Sequence, residues 1–347
     1  MDRVVIGNYT IGEGLRPLVI AEAGINHNGD LTQAKEMVRV AKQAGADIIK
    51  FQTHIPEAEM LPDRTVSSDA GSHVTGSLFD IMSACSLSLE DHKVLKKEAQ
   101  EQGILFLSTP FSVEAVELLE KVGVPAYKIG SGEITNLPFL EYVAKKKKPV
   151  ILSTGTATWQ EVEKAVAAIK ALDSGLILMQ CTSNYPTPYE NVNLKVIDMM
   201  SKEFGVPVGL SDHCTGNYAC FAAVARGACM IEKHFTLSRS LPGIDQASSI
   251  EPAELKDLVE GVRAVSQALG DKKELNQEAL KVRQGFSESI VTIASIKTGE
   301  IFKERGNIWV KRPGSGIPSY ELPKVVGKKA ARDLPVDYLL RPEDISD

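Results

Sequence analysis

The sequence lacks the features that mark several common classes of protein. No apolar run approaches the roughly 18 residues that a membrane span needs, and the opening MDRVVIGNYTIGEG does not have the charged and then apolar pattern of a signal peptide. We therefore expect a cytoplasmic protein that engages no membrane. The five cysteines are odd in number and form no C-x-x-C pair, which argues against a disulfide framework or a zinc ribbon.

Positive charge is also scarce. The 347 residues carry 39 Lys and Arg against 45 Asp and Glu, a formal net charge of −6, whereas nucleic-acid-binding domains usually present a basic stripe. The P-loop, H-E-x-x-H and strand-turn-helix G-x-G-x-x-G motifs are missing, so nucleotide, zincin and dinucleotide sites lose their usual support. The negative net charge does not exclude a small anionic substrate, because a few lysines at one site can oppose the net charge.

What the chain does contain is a regular alternation of short apolar runs and longer amphipathic segments. The apolar runs have the length of buried parallel strands, and a helical period follows each of them. Strand then helix, repeated eight times, predicts a (β/α)8 TIM barrel. The predicted strands are 18–22, 47–51, 104–108, 126–129, 149–153, 176–180, 207–210 and 230–234. The predicted helices are 31–44, 89–102, 112–121, 136–145, 158–171, 193–203, 217–226 and 252–268.

Further segments flank the predicted strands and helices, so that the barrel domain is expected to cover 1–270. Residues 3–12, RVVIGNYTIG, predict a β-hairpin that plugs the N-terminal mouth of the barrel. The charged stretch 271–284 is predicted to be a linker. In 285–347 short β-type runs alternate with Gly and Pro turns, which predicts a small β-rich domain.

Polar residues gather where the predicted strands end, which is where barrel enzymes carry their reactive groups. Lys50 and Lys128 are the most informative, because a lysine in a buried apolar strand is costly unless it meets an anion. Small and hydroxyl residues at 130–132 and 153–155 let backbone N–H groups approach such an anion. The pattern favours an anion-binding pocket, and a Schiff-base lysine is the alternative.

Two histidines, His213 and His234, end consecutive predicted strands, so that their side chains can point into the same mouth. Two imidazoles with water and substrate oxygens would make an open site for a divalent ion. A hydrogen-bonded pair used for acid–base chemistry fits the residues equally well. The other histidines that we considered, His54, His73 and His92, have no such placement and are predicted to be structural or at the surface.

With these residues in view, the chain resembles the N-acetylneuraminate (sialic acid) synthase family, which includes the legionaminic and pseudaminic acid synthases. The resemblance runs from the first strand almost to the C-terminus. The matching segments are EAGINHNG (22–29), KFQTH (50–54), STPF (108–111), YKIGSGE (127–133), STGTAT (153–158), CTSNYPTP (181–188), GLSDH (209–213), EKHFTL (232–237) and VKRPGSGI (310–317).

This resemblance implies a phosphoenolpyruvate-dependent condensation. The enol carbon of phosphoenolpyruvate attacks the open-chain aldehyde of an N-acetylated hexosamine, water adds at C2, and phosphate leaves by C–O cleavage. We expect N-acetylmannosamine as the sugar and N-acetylneuraminate as the product. The alternative within the class is 2,4-diacetamido-2,4,6-trideoxymannose, giving N,N′-diacetyllegionaminate. A Schiff-base aldolase and a carbohydrate-binding module are the alternatives outside it.

The resemblance also implies roles for individual residues. A divalent ion, Mn²⁺ with Mg²⁺ or Co²⁺ as alternatives, would be held by His213 and His234, and Glu22 would manage a proton. Near a metal and two lysines, Glu22 and Glu133 are expected to stay ionised at neutral pH. The expected phosphoenolpyruvate ligands are Lys50, Thr109, Lys128, Ser131, Ser153, Asn184 and Ser211. The expected sugar ligands are Gln52, Glu133, Tyr185, Asp245, Phe286 and Arg312.

The late domain resembles the antifreeze-like (SAF) module that ends these synthases. In the family this module reaches across a homodimer, so the resemblance implies a domain-swapped dimer in which Arg312 caps the sugar site of the partner barrel. Two features bear on which sugar is used. The stretch 63–77 varies among relatives, and Gln246 stands where many of them carry a histidine.

Overall fold

The computed structural model describes residues 3–62 and 77–347, and the stretch 63–76, which includes His73, lies outside the described residues. The chain divides into two compact units, Met1–Gly270 and Asp271–Asp347. No helix in the described part of the chain is long and apolar enough to cross a membrane.

The first unit is built on eight parallel strands. They lie in the order β5-β4-β3-β10-β9-β8-β7-β6, and the two end strands contact each other, so that the sheet forms a nearly closed barrel. The predicted (β/α)8 barrel is therefore confirmed. The strands are β3 (Leu18–Gly24), β4 (Ile48–Thr53), β5 (Leu105–Pro110), β6 (Tyr127–Ile129), β7 (Val150–Ser153), β8 (Leu176–Cys181), β9 (Val208–Asp212) and β10 (Met230–His234).

Helices surround this sheet at the predicted places, because each packs an apolar stripe against the strands. They are α1 (Leu31–Gln43), α4 (Leu89–Gln102), α5 (Val113–Val122), α6 (Leu137–Ala144), α7 (Trp159–Lys170), α8 (Lys195–Phe204), α9 (Tyr218–Ala225) and α10 (Pro252–Ala268). Two short helices that the periodicity did not predict, α2 (Pro56–Glu59) and α3 (Leu78–Cys85), lie between β4 and α4.

The predicted N-terminal hairpin is present as β1 (Val4–Ile6) and β2 (Tyr9–Ile11), which pair antiparallel. Its apolar side chains Val4, Ile6 and Ile11 join one cluster with inward residues of the barrel strands, such as Ile20 and Ile48. The hairpin thus closes the N-terminal end of the barrel with an apolar plug.

The alternation of side chains along a strand explains what lies above this plug. Residues two positions apart point to the same face, so the residue two beyond Ile20 also faces the barrel interior, and that residue is Glu22. In the same way, Lys50 lies two residues beyond Ile48 and also faces the barrel interior. An apolar layer at the N-terminal end therefore supports a polar layer at the C-terminal end.

The second unit has a small core of its own that includes Ile290, Phe302 and Ile308. The predicted linker 271–284 belongs to this unit, and helix α11 occupies part of it. The hydrophobic pattern of the sequence did not predict this helix, because none of its residues is buried. The elements are α11 (Gln277–Phe286), β11 (Ser289–Thr292), β12 (Ile308–Lys311), α12 (Leu322–Val325), β13 (Lys329–Ala330) and β14 (Ile345–Ser346).

Candidate active site

A pocket of about 630 Å³ opens at the C-terminal ends of the barrel strands. It collects most of the residues that the sequence predicts for the site, because they belong to the inward polar layer or to the loops directly after it. The lining consists of Glu22, Lys50, Gln52, Thr109, Phe111, Lys128, Gly130, Ser131, Gly132, Glu133, Ser153, Thr156, Cys181, Ser183, Tyr185, Ser211, His213, Glu232 and His234.

Four buried charges of alternating sign form the floor of this pocket. Lys50 Nζ lies 2.7 Å from Glu22 Oε2 and 3.7 Å from Glu232 Oε2, and Lys128 Nζ lies 3.2 Å from Glu232 Oε1. Each lysine also donates a hydrogen bond to a hydroxyl, at 2.9 Å for Thr109 and 2.7 Å for Ser153. The two ammonium groups therefore stand on either side of one carboxylate.

Burial and charge set different pKa values for these carboxylates. For Glu22, burial outweighs the attraction of Lys50 and raises the pKa to about 7. For Glu232, burial acts in the same direction, but Lys128 and Lys50 outweigh it and lower the pKa to about 2. Glu232 is thus the permanent counter-ion of the lysines, and Glu22 can exchange a proton near neutral pH.

The expectation that Glu22 and Glu133 both stay ionised at neutral pH needs correction. Burial raises the pKa of Glu133 to about 7 as well, and Lys128 offsets this only in part. One of its oxygens, Oε2, is buried and has no hydrogen-bond partner among the described residues. Both carboxyl groups are therefore divided between their two protonation states at pH 7.

The two histidines meet as predicted, with ring centroids 5.5 Å apart. Nδ1–H of His213 donates to the carbonyl of Thr182 at 2.9 Å, which leaves Nε2 available as a ligand. Burial, aided by the neighbouring His213, lowers the pKa of His234 well below its usual value, so that this ring is neutral. Its Nδ1 is buried, has no hydrogen-bond partner among the described residues, and lies 3.7 Å from Asp245 Oδ2.

This donor set fits a divalent ion that is held by two imidazoles and otherwise by substrate and water. Across residues 3–62 and 77–347, no group of three or more His, Cys, Asp or Glu side chains is arranged to hold a metal ion.

A crowded loop carries the hydroxyl groups beside Lys128. Ser131 Oγ accepts a hydrogen bond from the backbone N–H of Gly155 at 2.9 Å. A Cβ atom at Gly155 would lie 2.4 Å from Ser183 Oγ and 2.7 Å from Cys181 Sγ. Only glycine fits here without displacing these groups. The loop that contains Gly155 can therefore lie directly against Ser131, Cys181 and Ser183.

Comparison with known proteins identifies the chain. The NeuB family model matches residues 37–274, and the SAF domain model matches 287–346. The chain belongs to the NeuB family.

Two NeuB-family relatives are named N,N′-diacetyllegionaminic acid synthase. The protein from Legionella pneumophila is 40% identical over 96% of each chain, and that from Campylobacter jejuni is 40% identical over 94% of this chain and 99% of the relative. A solved structure, the N-acetylneuraminic acid synthetase of Leptospira borgpetersenii in complex with citrate, is 35% identical with a TM-score of 0.73, over 82% of this chain and 97% of that one. The chain is thus a phosphoenolpyruvate-dependent nonulosonic acid synthase of the NeuB family, as predicted.

Four predicted ligands of this NeuB-family enzyme are not among the residues that line the pocket. The side chain of Asn184 does not line the pocket, and its carbonyl accepts a hydrogen bond from Thr187. Phe286 and Arg312 belong to the second unit, where the guanidinium of Arg312 lies 5.4 Å from the centre of the Phe286 ring. Asp245, although outside the lining, reaches the site through its contact with His234.

Sequence reasoning missed several residues of the NeuB-family pocket, of which Glu232 is the most important. The strand period contained the signal, because Glu232 lies two residues from both Met230 and His234 and must share their inward face. Gln246 is buried and bonds to the backbone of Asn26, so it shapes the loop beside Asp245 rather than lining the pocket.

Proposed function

We propose that this NeuB-family enzyme condenses phosphoenolpyruvate with open-chain 2,4-diacetamido-2,4,6-trideoxymannose to give N,N′-diacetyllegionaminate and phosphate. The buried Lys50–Glu232–Lys128 array is the observation that carries the phosphoenolpyruvate part of the proposal. Support for the sugar comes from the two legionaminic acid synthases at 40% identity. They favour this alternative over the N-acetylneuraminate that the sequence analysis placed first.

The array suits a substrate with two anionic ends. Phosphoenolpyruvate carries a phosphate and a carboxylate on a small rigid frame, and the ammonium groups of Lys50 and Lys128 are separated by one carboxylate. The hydroxyls of Thr109 and Ser153 are bonded to these lysines and extend the donor set. Ser131 and Ser211 complete it, and Asn184 is proposed as a further ligand through the resemblance alone.

In the reaction, the C3–aldehyde carbon bond forms, water adds its oxygen to C2, and the C2–O bond to phosphate breaks. The balance requires both protons to leave the water, one to reach the aldehyde oxygen and the other to leave with the phosphate. Glu22, with a pKa of about 7 and a place beside Lys50, is the group suited to exchange such a proton. Gln52, Glu133, Tyr185 and Asp245 are proposed to bind the sugar.

A divalent ion, Mn²⁺ with Mg²⁺ or Co²⁺ as alternatives, is proposed to bind His213 and His234. When bound, such an ion polarises a carbonyl oxygen as a Lewis acid. Two ring nitrogens support the proposal. Nε2 of His213 is left available by the hydrogen bond at its Nδ1, and Nδ1 of His234 is buried without a hydrogen-bond partner among the described residues.

A Schiff-base aldolase is disfavoured by the ion pairs of the lysines. A Schiff-base lysine must lose its proton to attack a carbonyl. Burial would favour that loss at Lys50, but Glu22 and Glu232 outweigh it and raise its pKa. Borohydride treatment with pyruvate is expected to leave the protein mass unchanged, and a reduced pyruvate adduct would support the aldolase.

A panel of sugars tests the proposed substrate. Phosphate release from phosphoenolpyruvate is measured with Mn²⁺ and either 2,4-diacetamido-2,4,6-trideoxymannose or N-acetylmannosamine, and the product mass is recorded. We expect the diacetamido sugar to give a kcat/KM at least about tenfold higher. The opposite ranking would restore N-acetylneuraminate, for which the 35% identical synthetase structure is the supporting relative. No release with either sugar would reject both substrates.

We also propose a homodimer in which the second unit of one protomer completes the sugar site of its partner. The support is the family resemblance together with the exposure of Phe286, whose side chain stays 65% accessible beside Arg312.

A further inference from the structure

A buried chain of hydrogen bonds leads from helix α2 to the reaction centre. Glu59 Oε2 lies 2.8 Å from Nδ1 of His54, and Nε2 of His54 lies 3.1 Å from Gln52 Oε1. Gln52 Nε2 in turn donates to Glu22 Oε1 at 3.0 Å. His54, predicted from the sequence to be structural or at the surface, therefore connects to the group that we propose exchanges a proton.

The chain is enclosed and its members have few other partners. The side chains of His54 and Glu59 are 7% and 5% exposed, so water contributes little to holding them. The His54 ring stacks on Phe111, a pocket residue, with centroids 4.3 Å apart and planes 14° apart. The second oxygen of Glu59 accepts a hydrogen bond from the backbone N–H of Ile55. Both ends of the imidazole are thus fixed.

His54 links Glu59 to Gln52 through both of its ring nitrogens. The carbonyl oxygen Oε1 of Gln52 can only accept, so Nε2–H of His54 donates to it. Nδ1 is held by Glu59 Oε2, while Oε1 of the same carboxyl group accepts from the backbone N–H of Ile55.

The contact with His54 decides which end of the Gln52 amide faces Glu22. The carbonyl oxygen of Gln52 points to Nε2 of His54, so its NH₂ group is turned toward Glu22 and donates to Oε1. With the amide reversed, its carbonyl oxygen would face the Glu22 carboxylate and repel it.

We propose that Glu59 and His54 act as a positioning pair that fixes the Gln52 amide so that it holds the Glu22 carboxylate beside Lys50. The inference rests on the proposed function, because Glu22 is the proton-exchanging group only in that reaction. Glu59 and His54 themselves touch no reacting atom. They act through Gln52, and this separates them from the catalytic residues.

A double-mutant cycle tests the pair. Phosphate release is measured in single turnovers, with enzyme in excess over phosphoenolpyruvate, so that weak activities stay measurable. Glu59→Gln is expected to lower the rate about tenfold or more in the wild-type background and less than about twofold in a Gln52→Ala background. Its KM for phosphoenolpyruvate in steady state is expected to stay within about twofold. Equal losses in both backgrounds would overturn the proposal.

Two further comparisons separate positioning from loss of structure. Glu98→Gln removes another buried carboxylate, which lies on helix α4 away from the pocket and pairs with Arg39 of helix α1, and its rate is expected to match that of the wild type. His54→Gln keeps an N–H donor for Gln52 and is expected to retain at least about tenfold more activity than His54→Leu. Equal loss in these two His54 variants would show that packing on Phe111 is what matters, and would reject the pair.

The same measurements distinguish failure of this inference from failure of the proposed function. Phosphate release by the wild type, with either acetamido sugar, establishes the reaction before any variant is compared. Thermal melting of each variant shows whether it is folded. If the wild type turns over and the folded Glu59→Gln variant is as active as Glu98→Gln, the inference is wrong while the function stands. If the wild type releases no phosphate, the function fails, and the positioning role falls with it.

Discussion

Glu22 Oε2 lies 2.7 Å from Lys50 Nζ, and the two residues face each other across the adjacent strands β3 and β4. Their side chains are 2% and 3% exposed. A buried ion pair of this kind adds little net stability, because desolvation of the two charges offsets their attraction. We interpret the pair as a device that places a proton-exchanging carboxyl group beside a cation in the anion-binding floor of the pocket.

Replacing Glu22 by Gln tests this role. The amide keeps the shape and the contact with Gln52 but cannot accept or release a proton at neutral pH. General acid–base groups contribute typically 10²- to 10⁴-fold, so we expect kcat to fall by about that factor while KM for phosphoenolpyruvate changes by less than about fivefold. Steady-state phosphate release measures both constants. A kcat within about threefold of the wild type would show that another group exchanges the proton.

The raised pKa of Glu133 predicts that the stability of the folded chain depends on pH. Its carboxyl pKa is raised by burial to about 7 in the folded chain, from 4.5 in the unfolded one. The folded state therefore holds the proton more tightly, and ionisation destabilises it progressively as the pH rises from about 4.5 through 7. Wild-type protein should lose stability relative to Glu133→Gln over this range, on the order of 1 kcal/mol after allowance for partial exposure.

Melting temperatures at pH 5 and pH 8 measure this effect. The difference in Tm between Glu133→Gln and the wild type should be small at pH 5 and larger, in favour of the variant, at pH 8. A constant difference would mean that the Glu133 carboxyl ionises in the folded chain as it does in the unfolded one.

Replacement of His234 tests the proposed metal site. His234→Ala removes one of two protein ligands, so we expect Mn²⁺ affinity to fall at least about tenfold and metal-dependent phosphate release to be lost. Titration followed by the paramagnetic resonance of free Mn²⁺ gives the affinity without any substrate. The matched control is His92→Ala, since His92 is also buried but is bonded to Thr53 and Ser88 away from the pocket. Unchanged Mn²⁺ binding in the His234 variant would reject the assignment.

The sequence predicted much of the barrel and many of its site residues for one physical reason. A parallel strand that is buried on both faces reads as an apolar run, and a polar residue at its C-terminal end stands out against that run. Lys50, Lys128 and His213 were found in this way. Glu232 was missed, although the same alternation along the strand puts it on the inward face, and its role as counter-ion to both lysines depends on distances that only the folded barrel supplies.

Other parts of the site could not be predicted, because they depend on burial and on side-chain direction. Only the fold shows that His54 bonds to the pocket residue Gln52, whereas His92, on helix α4, bonds to Thr53 and to the carbonyl of Ser88. The raised pKa of Glu133 has the same origin, since desolvation depends on what packs around the carboxyl group and not on its neighbours in sequence.

Arg312 tests the proposed dimer. If its guanidinium binds the sugar from the partner protomer, Arg312→Ala should raise KM for the sugar at least about tenfold and KM for phosphoenolpyruvate by less than about threefold. Equal effects on both substrates would contradict a role at the sugar end. Steady-state kinetics with one substrate varied at a time separate the two.

Subunit exchange then decides whether Arg312 acts within its own chain or across the dimer. A Lys50→Ala protomer lacks the anion site, and an Arg312→Ala protomer lacks the cap. If the cap acts in trans, a mixed dimer contains one barrel with its own Lys50 whose sugar site is closed by the intact Arg312 of the Lys50→Ala partner. The assay uses a sugar concentration well below the wild-type KM, where the Arg312→Ala protein is expected to keep about a tenth or less of wild-type activity. Mixing the two variants at equal amounts, after full exchange, should then give about a quarter of wild-type activity, because half of the dimers are mixed and each has one intact site. If Arg312 acts in cis, every barrel in the mixture lacks one of the two groups, and the activity does not exceed the mean of the two separate variants.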